Sequence, residues 1–208
     1  MLIESISGVR GTVPDSLNNE VVALYAGAFH QFCPKGDIVV GRDSRSSGIH
    51  FLTEIVETLM ASGRTVNQCG IVPTPTLQYV VDDTEAVGGI IVTASHNPAE
   101  WNGLKFFGAD GCYLNSSQVK KLMQLKSVDF PELSDGEGKH IQMNDAIDRH
   151  ITRTCDVSWI DLDAIRQRKF KVAVDAVNGA AAVALPELLD KLGCEVVAIN
   201  CEPTGEFT

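Results

Sequence analysis

The chain has 208 residues, 44% of them hydrophobic, which suits one full domain plus a partial one, or one large domain, around a sizeable core. With 17 Lys and Arg against 27 Asp and Glu its formal net charge is −10, which excludes nonspecific nucleic-acid binding through a basic surface and requires any phosphate ligand to be gathered by a local cation cluster. Cysteines 33, 69, 112, 155, 194 and 201 offer no CxxC pair and no zinc-like spacing, the opening residues resemble no leader, and no apolar run reaches membrane-spanning length, so the expectation is a cytoplasmic chain with reduced thiols and no membrane partner.

In chain order, residues 2–6 read as a strand and Ser7-Gly8-Val9-Arg10-Gly11 as a glycine-flanked loop that holds the Arg10 guanidinium in place, a group suited to bidentate phosphate recognition. Apolar residues at 17, 21, 24, 25, 28 and 32 predict an amphipathic helix ending near Phe32. Residues 37–41 form a buried-type strand, and the polar loop Arg42-Asp43-Ser44-Arg45-Ser46-Ser47-Gly48 leads into a helix with Leu52, Ile55, Val56, Leu59 and Met60 on one face and Gly63 at its end. A strand over 65–69 completes a right-handed β-α-β unit, placing Arg42 and Asp43 at a carboxyl end of the sheet, where such sheets take ligands. That loop has two readings: direct substrate contact, or an ion-paired brace of Arg42, Asp43 and Arg45 under the loop of Ser95. Val72-Pro73-Thr74-Pro75 predicts a helix start with Thr74 as cap, Pro75 at the first position and Leu77, Val80 and Val81 buried.

Val87, Ile90, Ile91 and Val92 make a β-prone run that ends in Thr93-Ala94-Ser95-His96-Asn97-Pro98, so a strand delivers a hydroxyl and an imidazole into a loop at its tip. Asn102-Gly103 predicts a turn that sends the chain back through Leu104, Phe106 and Phe107. Lys105 then falls near the start of the returning strand, close enough for a nucleophilic hydroxyl and an amine base to share one pocket. Residues 103–114 read as a hairpin through Gly108-Ala109-Asp110-Gly111, 115–126 as a helix, 127–140 as an exposed loop, and 147–155 as the helix that closes a first domain. Beyond it come a charged connection with a short helix at 161–168, a strand carrying Phe170, Val172 and Val174, a helix over 181–192 that Pro186 should kink or split, and a strand at 195–200.

The run Thr93-Ala94-Ser95-His96-Asn97-Pro98 with Asn102-Gly103-Leu104-Lys105 resembles the phosphoserine loop of the α-D-phosphohexomutases, the family of phosphoglucomutase, phosphomannomutase and phosphoglucosamine mutase. Ser7-Gly8-Val9-Arg10-Gly11, the stretch 41–48, Val72-Pro73-Thr74-Pro75-Thr76 and Val174-Asp175-Ala176-Val177-Asn178-Gly179 extend the resemblance, in family order, over nearly the whole chain. The resemblance implies an α/β fold with three α/β/α layers and a mixed, mainly parallel sheet, plus an incomplete second α/β domain. It divides the chain into domain I at 1–155 and the start of domain II at 156–208. It implies interconversion of hexose 1-phosphate and hexose 6-phosphate through a phosphoserine and a bisphosphate intermediate, this chain being the amino-terminal part. Ser95 is the matching serine and Lys105 the proton acceptor. His96 and Arg10 contact the phosphoryl group or sugar, and Asn97 binds substrate or orients the loop. Mg²⁺ would be held by Ser95 together with an Asp-x-Asp-x-Asp loop that this sequence lacks, and a hexose 1,6-bisphosphate would be the activator. The expected partners are a phosphosugar substrate and, through apolar surface at Val196, Val197 and Ile199, a second copy or a carboxyl-terminal mutase fragment.

The rivals fare unequally. A serine hydrolase calls for Gly-x-Ser-x-Gly and a dinucleotide fold for Gly-x-Gly-x-x-Gly after a strand, and neither motif stands in the sequence. The alternative left is a non-catalytic phosphate-binding or interaction domain that keeps the loop without the other mutase domains.

Overall fold

The computed structural model describes residues 1–126 and 137–207. Seven strands form one sheet: β1 (Ile3–Ser5), β2 (Gly8–Thr12), β3 (Ile38–Arg42), β4 (Thr65–Ile71), β5 (Gly88–Val92), β6 (Trp101–Gly108) and β7 (Lys139–Gln142), in the spatial order β1-β2-β6-β5-β3-β4-β7. The half β5-β3-β4-β7 is parallel, as β-α-β crossovers require. In the other half β6 runs antiparallel to both β5 and β2, and β1 turns back on β2. Helices α1 (Asn19–Phe32), α2 (Ser47–Ala61) and α4 (Ser116–Gln124) cover one face, where Phe29, Ile55 and Leu122 meet Val40, Ile90 and Phe106. On the other face α3 (Thr74–Asp83) and α5 (Ala146–Cys155) bring Leu77, Val80 and Ala146 onto Val39, Ile91 and Phe107. Every residue of β5 is buried, which is why its run is apolar rather than alternating. The result is the three-layer α/β/α fold expected.

A second, parallel pair follows: β8 (Lys171–Asp175) and β9 (Glu195–Ile199), with α6 (Leu162–Arg168), a 3-10 turn over Ala180–Val183 and α7 (Leu185–Lys191). The helix expected at 181–192 is split ahead of Pro186, which enters α7 in its first turn, where its missing N–H costs nothing. Val197 and Ile199 are 42% and 47% exposed.

Four expectations need correction. Gly8–Thr12 is a strand, not a loop: a side chain at Gly8 would lie 2.0 Å from the Leu104 carbonyl oxygen, so that glycine marks close strand approach. Asn102-Gly103 likewise lies inside β6, with a side chain at Gly103 meeting the Val9 carbonyl at 2.5 Å, and the chain reverses earlier, over 95–100. Helix α3 is capped by Pro73 and takes Thr74 as its first residue, since the Pro73 carbonyl accepts from the Thr76 amide. Lys139 and His140, expected as the end of a loop, open edge strand β7 (Lys139–Gln142), whose exposed Lys-His-Ile-Gln gives almost no β signal. The rest of that loop, 127–136, lies outside the described residues. The turn at Gly108–Gly111 is as expected, closing on Cys112, but the strand before it pairs chiefly with β5 and β2.

Two arginines are buried to 1% exposure, and each fastens backbone carbonyls. Arg64 donates to the carbonyls of His30, Cys33, Pro34 and Gly36 and, through Nε, to His30 Nδ1 at 3.1 Å, closing the exit of α1. Burial pulls its guanidinium below the ordinary arginine value. Arg45 belongs to the site.

Candidate active site

Strand β5 ends at Val92, and the next residues cross the carboxyl end of the sheet into a cleft of about 700 Å³. One wall is Asp43 to Arg45, Thr93 and Ser95 to Ala99; the other is Ala176, Val177 and Gly179 to Ala181, with Phe207. The position follows from topology, because parallel sheets leave their crevices at strand carboxyl ends.

Ser95 has φ +58, a left-handed conformation that a serine takes at a steric cost of roughly 1 kcal/mol. Two sets of hydrogen bonds hold it there. From below, the Asp43 carboxylate accepts the Thr93 hydroxyl at 2.7 Å, and Thr93 Oγ1 accepts the Ser95 amide at 3.0 Å. From the side, the Arg45 fork donates to four carbonyls of the loop: Ser95 at 3.2 Å, Asn97 at 2.7 Å, Pro98 at 2.6 Å and Trp101 at 2.9 Å. Asp43 also takes Arg45 Nε at 3.1 Å and its amide at 3.0 Å, so the buried charge is paired and all five of its N–H groups find acceptors. Asn102, fully buried, ties β6 to the start of α2 through Ser47 Oγ at 2.9 Å. Of the two readings of the 42–48 loop, the geometry is that of the brace for Asp43 and Arg45. Arg42 donates to the carbonyls of Asp43 and Arg45, and burial lowers its pKa.

The site residues expected from the sequence are brought together unequally. Ser95, His96 and Asn97 share the cleft wall, with Ser95 Oγ and His96 Nδ1 3.4 Å apart. Arg10, on β2, reaches Asn97 Oδ1 at 3.2 Å and so stands beside the loop. Lys105 is not on the cleft wall; its Nζ rests 3.5 Å from the Tyr113 hydroxyl and 5.6 Å from that ring's centroid. Among the described residues no group of three or more His, Cys, Asp and Glu could hold a metal ion, so these residues do not by themselves make a complete Mg²⁺ site.

Sequence reasoning missed Thr93, whose signal was a threonine two residues ahead of the serine amide it accepts. It also missed the opposite wall. There Val177 and Asn178 have φ +44 and +55, a conformation rare for a β-branched residue, and the Asp175 carboxylate accepts the Val177 amide at 2.9 Å.

Comparison with known proteins agrees with the geometry. Residues 3–129 match the family described as phosphoglucomutase/phosphomannomutase, alpha/beta/alpha domain I, and residues 148–208 match its domain II. A phosphoglucomutase/phosphomannomutase of Thermococcus kodakarensis is 34% identical over 96% of this chain and 45% of its own length. A phosphoglucosamine mutase of a Sulfurovum species is 32% identical over 97% and 46%. The crystal structure of a phosphoglucomutase/phosphomannomutase family protein from Burkholderia thailandensis superposes with a TM-score of 0.82 at 28% identity, covering all of this chain and 46% of that one. The chain thus spans less than half the length of these relatives.

Proposed function

The chain belongs to the phosphoglucomutase/phosphomannomutase family, and from that premise we propose that it supplies the phosphoryl-carrying part of a phosphohexomutase. The observation that carries the reading is Ser95 itself: a serine fixed in a left-handed conformation at a strand tip, over a cleft, with a histidine and an arginine at hand.

In the proposed reaction a hydroxyl of a hexose phosphate attacks phosphorus of phospho-Ser95. The P–O bond to the serine breaks as the bond to the sugar oxygen forms, and Lys105 takes the hydroxyl proton. The bisphosphate turns over, its other phosphoryl group passes to the Ser95 oxygen, and Lys105 returns the proton to the oxygen left on the sugar. Such transfers are won by positioning and charge neutralisation. The loop braces supply the first, Arg10 and His96 the second, and Asn97 holds Arg10. Mg²⁺ would neutralise phosphoryl charge when bound. Ser95 is one ligand this chain would offer it. Lys105 must leave Tyr113 to act, which its four-carbon stem permits.

That contact with Tyr113 also favours the second reading, a phosphate-binding or interaction domain without turnover. The two separate in one assay: the chain with Mg²⁺ and a hexose 1,6-bisphosphate, alone and mixed with the carboxyl-terminal domains of the Thermococcus kodakarensis relative, tested on glucose, mannose and glucosamine phosphates. Turnover with the added domains, absent in Ser95→Ala and absent from the chain alone, supports the mutase. No turnover in either mixture supports the binding domain.

A further inference from the structure

The family motif over 174–179 and the segment 204–207 take no part in the chemistry above, yet the first holds the second against the brace of the nucleophile. The Asn178 carbonyl accepts the Gly205 amide at 3.1 Å, and the Asn178 side chain donates to the Glu206 carbonyl at 3.1 Å. Held by these two bonds, the 204–207 segment lies directly on the loop ahead of α2: a side chain at Gly205 would sit 2.4 Å from the Ser44 carbonyl oxygen and 2.9 Å from Arg45 Cα. Arg45 Cζ then lies over the Phe207 ring, 4.7 Å from the ring centroid.

Arg45 is therefore enclosed on two sides by different parts of the chain. Its edge is taken by Asp43 and the four loop carbonyls, its face by an aromatic ring that belongs with β8 and β9. A guanidinium face is weakly hydrated and well suited to a ring, and excluding water there strengthens the hydrogen bonds made at its edge.

Resting on the assignment of Ser95 as the phosphoryl carrier, we propose that Phe207, delivered by Asn178, is a positioning residue for Ser95 that acts through Arg45. The ring keeps the guanidinium fork closed on the loop, so that the second α/β unit in its docked place holds the nucleophile in its left-handed conformation. When that unit swings away, the fork loosens and Ser95 relaxes out of register with the substrate phosphate.

The test uses the whole chain with Phe207→Leu and Phe207→Tyr. Leucine keeps apolar cover and loses the ring face; tyrosine keeps the face. Hydrogen exchange is read at the amides of Ser95, Asn97 and Trp101, each hydrogen-bonded within the loop, and at β3 as an internal reference. Loss of a contact of this kind predicts exchange about tenfold faster at those three amides in Phe207→Leu, near-native exchange in Phe207→Tyr, and no change in β3. Native exchange in Phe207→Leu, equal acceleration by both variants, or acceleration spread through β3 overturns the proposal. In parallel, uptake of a phosphoryl group from a hexose 1,6-bisphosphate should slow in maximal rate in Phe207→Leu with the half-saturating concentration unchanged. If the native chain takes up no phosphoryl group, the mutase reading fails and the exchange result still decides the positioning role.

Discussion

Arg45 and Arg64 are the same device in two places. Each is a buried guanidinium that gathers the carbonyls of a non-repetitive segment at the edge of the sheet, four to each arginine. They differ in where the awkward backbone falls. At the exit of α1 the residue with positive φ is Gly36, at +151, packed so closely that a side chain would lie 2.4 Å from Val87 Cγ1. In the loop after β5 it is Ser95, where a glycine would fit with less strain. One brace closes a helix; the other maintains a strained residue that carries a hydroxyl. Among the described residues with positive φ, the non-glycines are Ser95, Lys169, Val177, Asn178 and Asn200, and of these Ser95 presents a hydroxyl on the cleft wall.

Removing either cation tests the shared part of this comparison and carries the largest effect. Arg45→Ala and Arg64→Ala should each lower stability by about 3–5 kcal/mol in urea denaturation, through buried carbonyls left unpaired and, at Arg45, an unpaired Asp43. Arg64→Lys should leave Ser95 phosphorylation at its native rate, whereas Arg45→Lys should slow it. Equal effects of the two lysine variants on Ser95 would erase the distinction between the sites.

The glycine swap is the next sharpest. Gly36→Ala should cost roughly 1–3 kcal/mol, because alanine resists that φ and meets Val87, while Ser95→Gly should gain about 1 kcal/mol by relieving strain. That gain should vanish in an Arg45→Ala background, where nothing enforces the left-handed conformation. A gain that persists there would show that Arg45 does not hold Ser95.

A smaller, local difference is chemical. Cys33 is buried at the Arg64 brace, and burial pushes its thiol up to about 12, whereas Cys112 is exposed. At pH 8 iodoacetamide should label Cys112 and spare Cys33, which becomes reactive in Arg64→Ala, as peptide mapping would show. Labelling of Cys33 in the native chain would mean that the α1 exit is open.

The smallest effect is on pH dependence. The His150 ring stacks on Tyr79 and lies 3.0 Å from Thr76 Oγ1, and burial holds its pKa below the ordinary 6.5. The unfolded chain then binds the proton more readily than the folded one. Stability from this group is present above about pH 6.5 and falls as pH drops toward the folded value, and His150→Gln should flatten that slope in thermal melts.

Much of this was legible in the residues. The apolar run into Ser95, the β-α-β periodicity and the helix split by Pro186 are local patterns, and local patterns can be read. Glycines were harder, because Gly8 and Gly103 signal either a turn or two backbones in close approach, and only the neighbouring strand decides. Edge strand β7 has no apolar face to betray it. The bonds of Arg45 to the Ser95 loop span 50 to 56 residues of sequence, so its role as a brace, although one of two readings open beforehand, is fixed by tertiary contact alone. The rest of Lys105 on Tyr113 has no sequence signal at all.

The central claim is that Ser95 carries the phosphoryl group. Intact-mass and peptide analysis of the chain after incubation with Mg²⁺ and a hexose 1,6-bisphosphate measures it directly. One phosphoryl group on the peptide containing Ser95, absent in Ser95→Ala, is the predicted result; equal uptake by Ser95→Ala, or none by the native chain, would contradict the account.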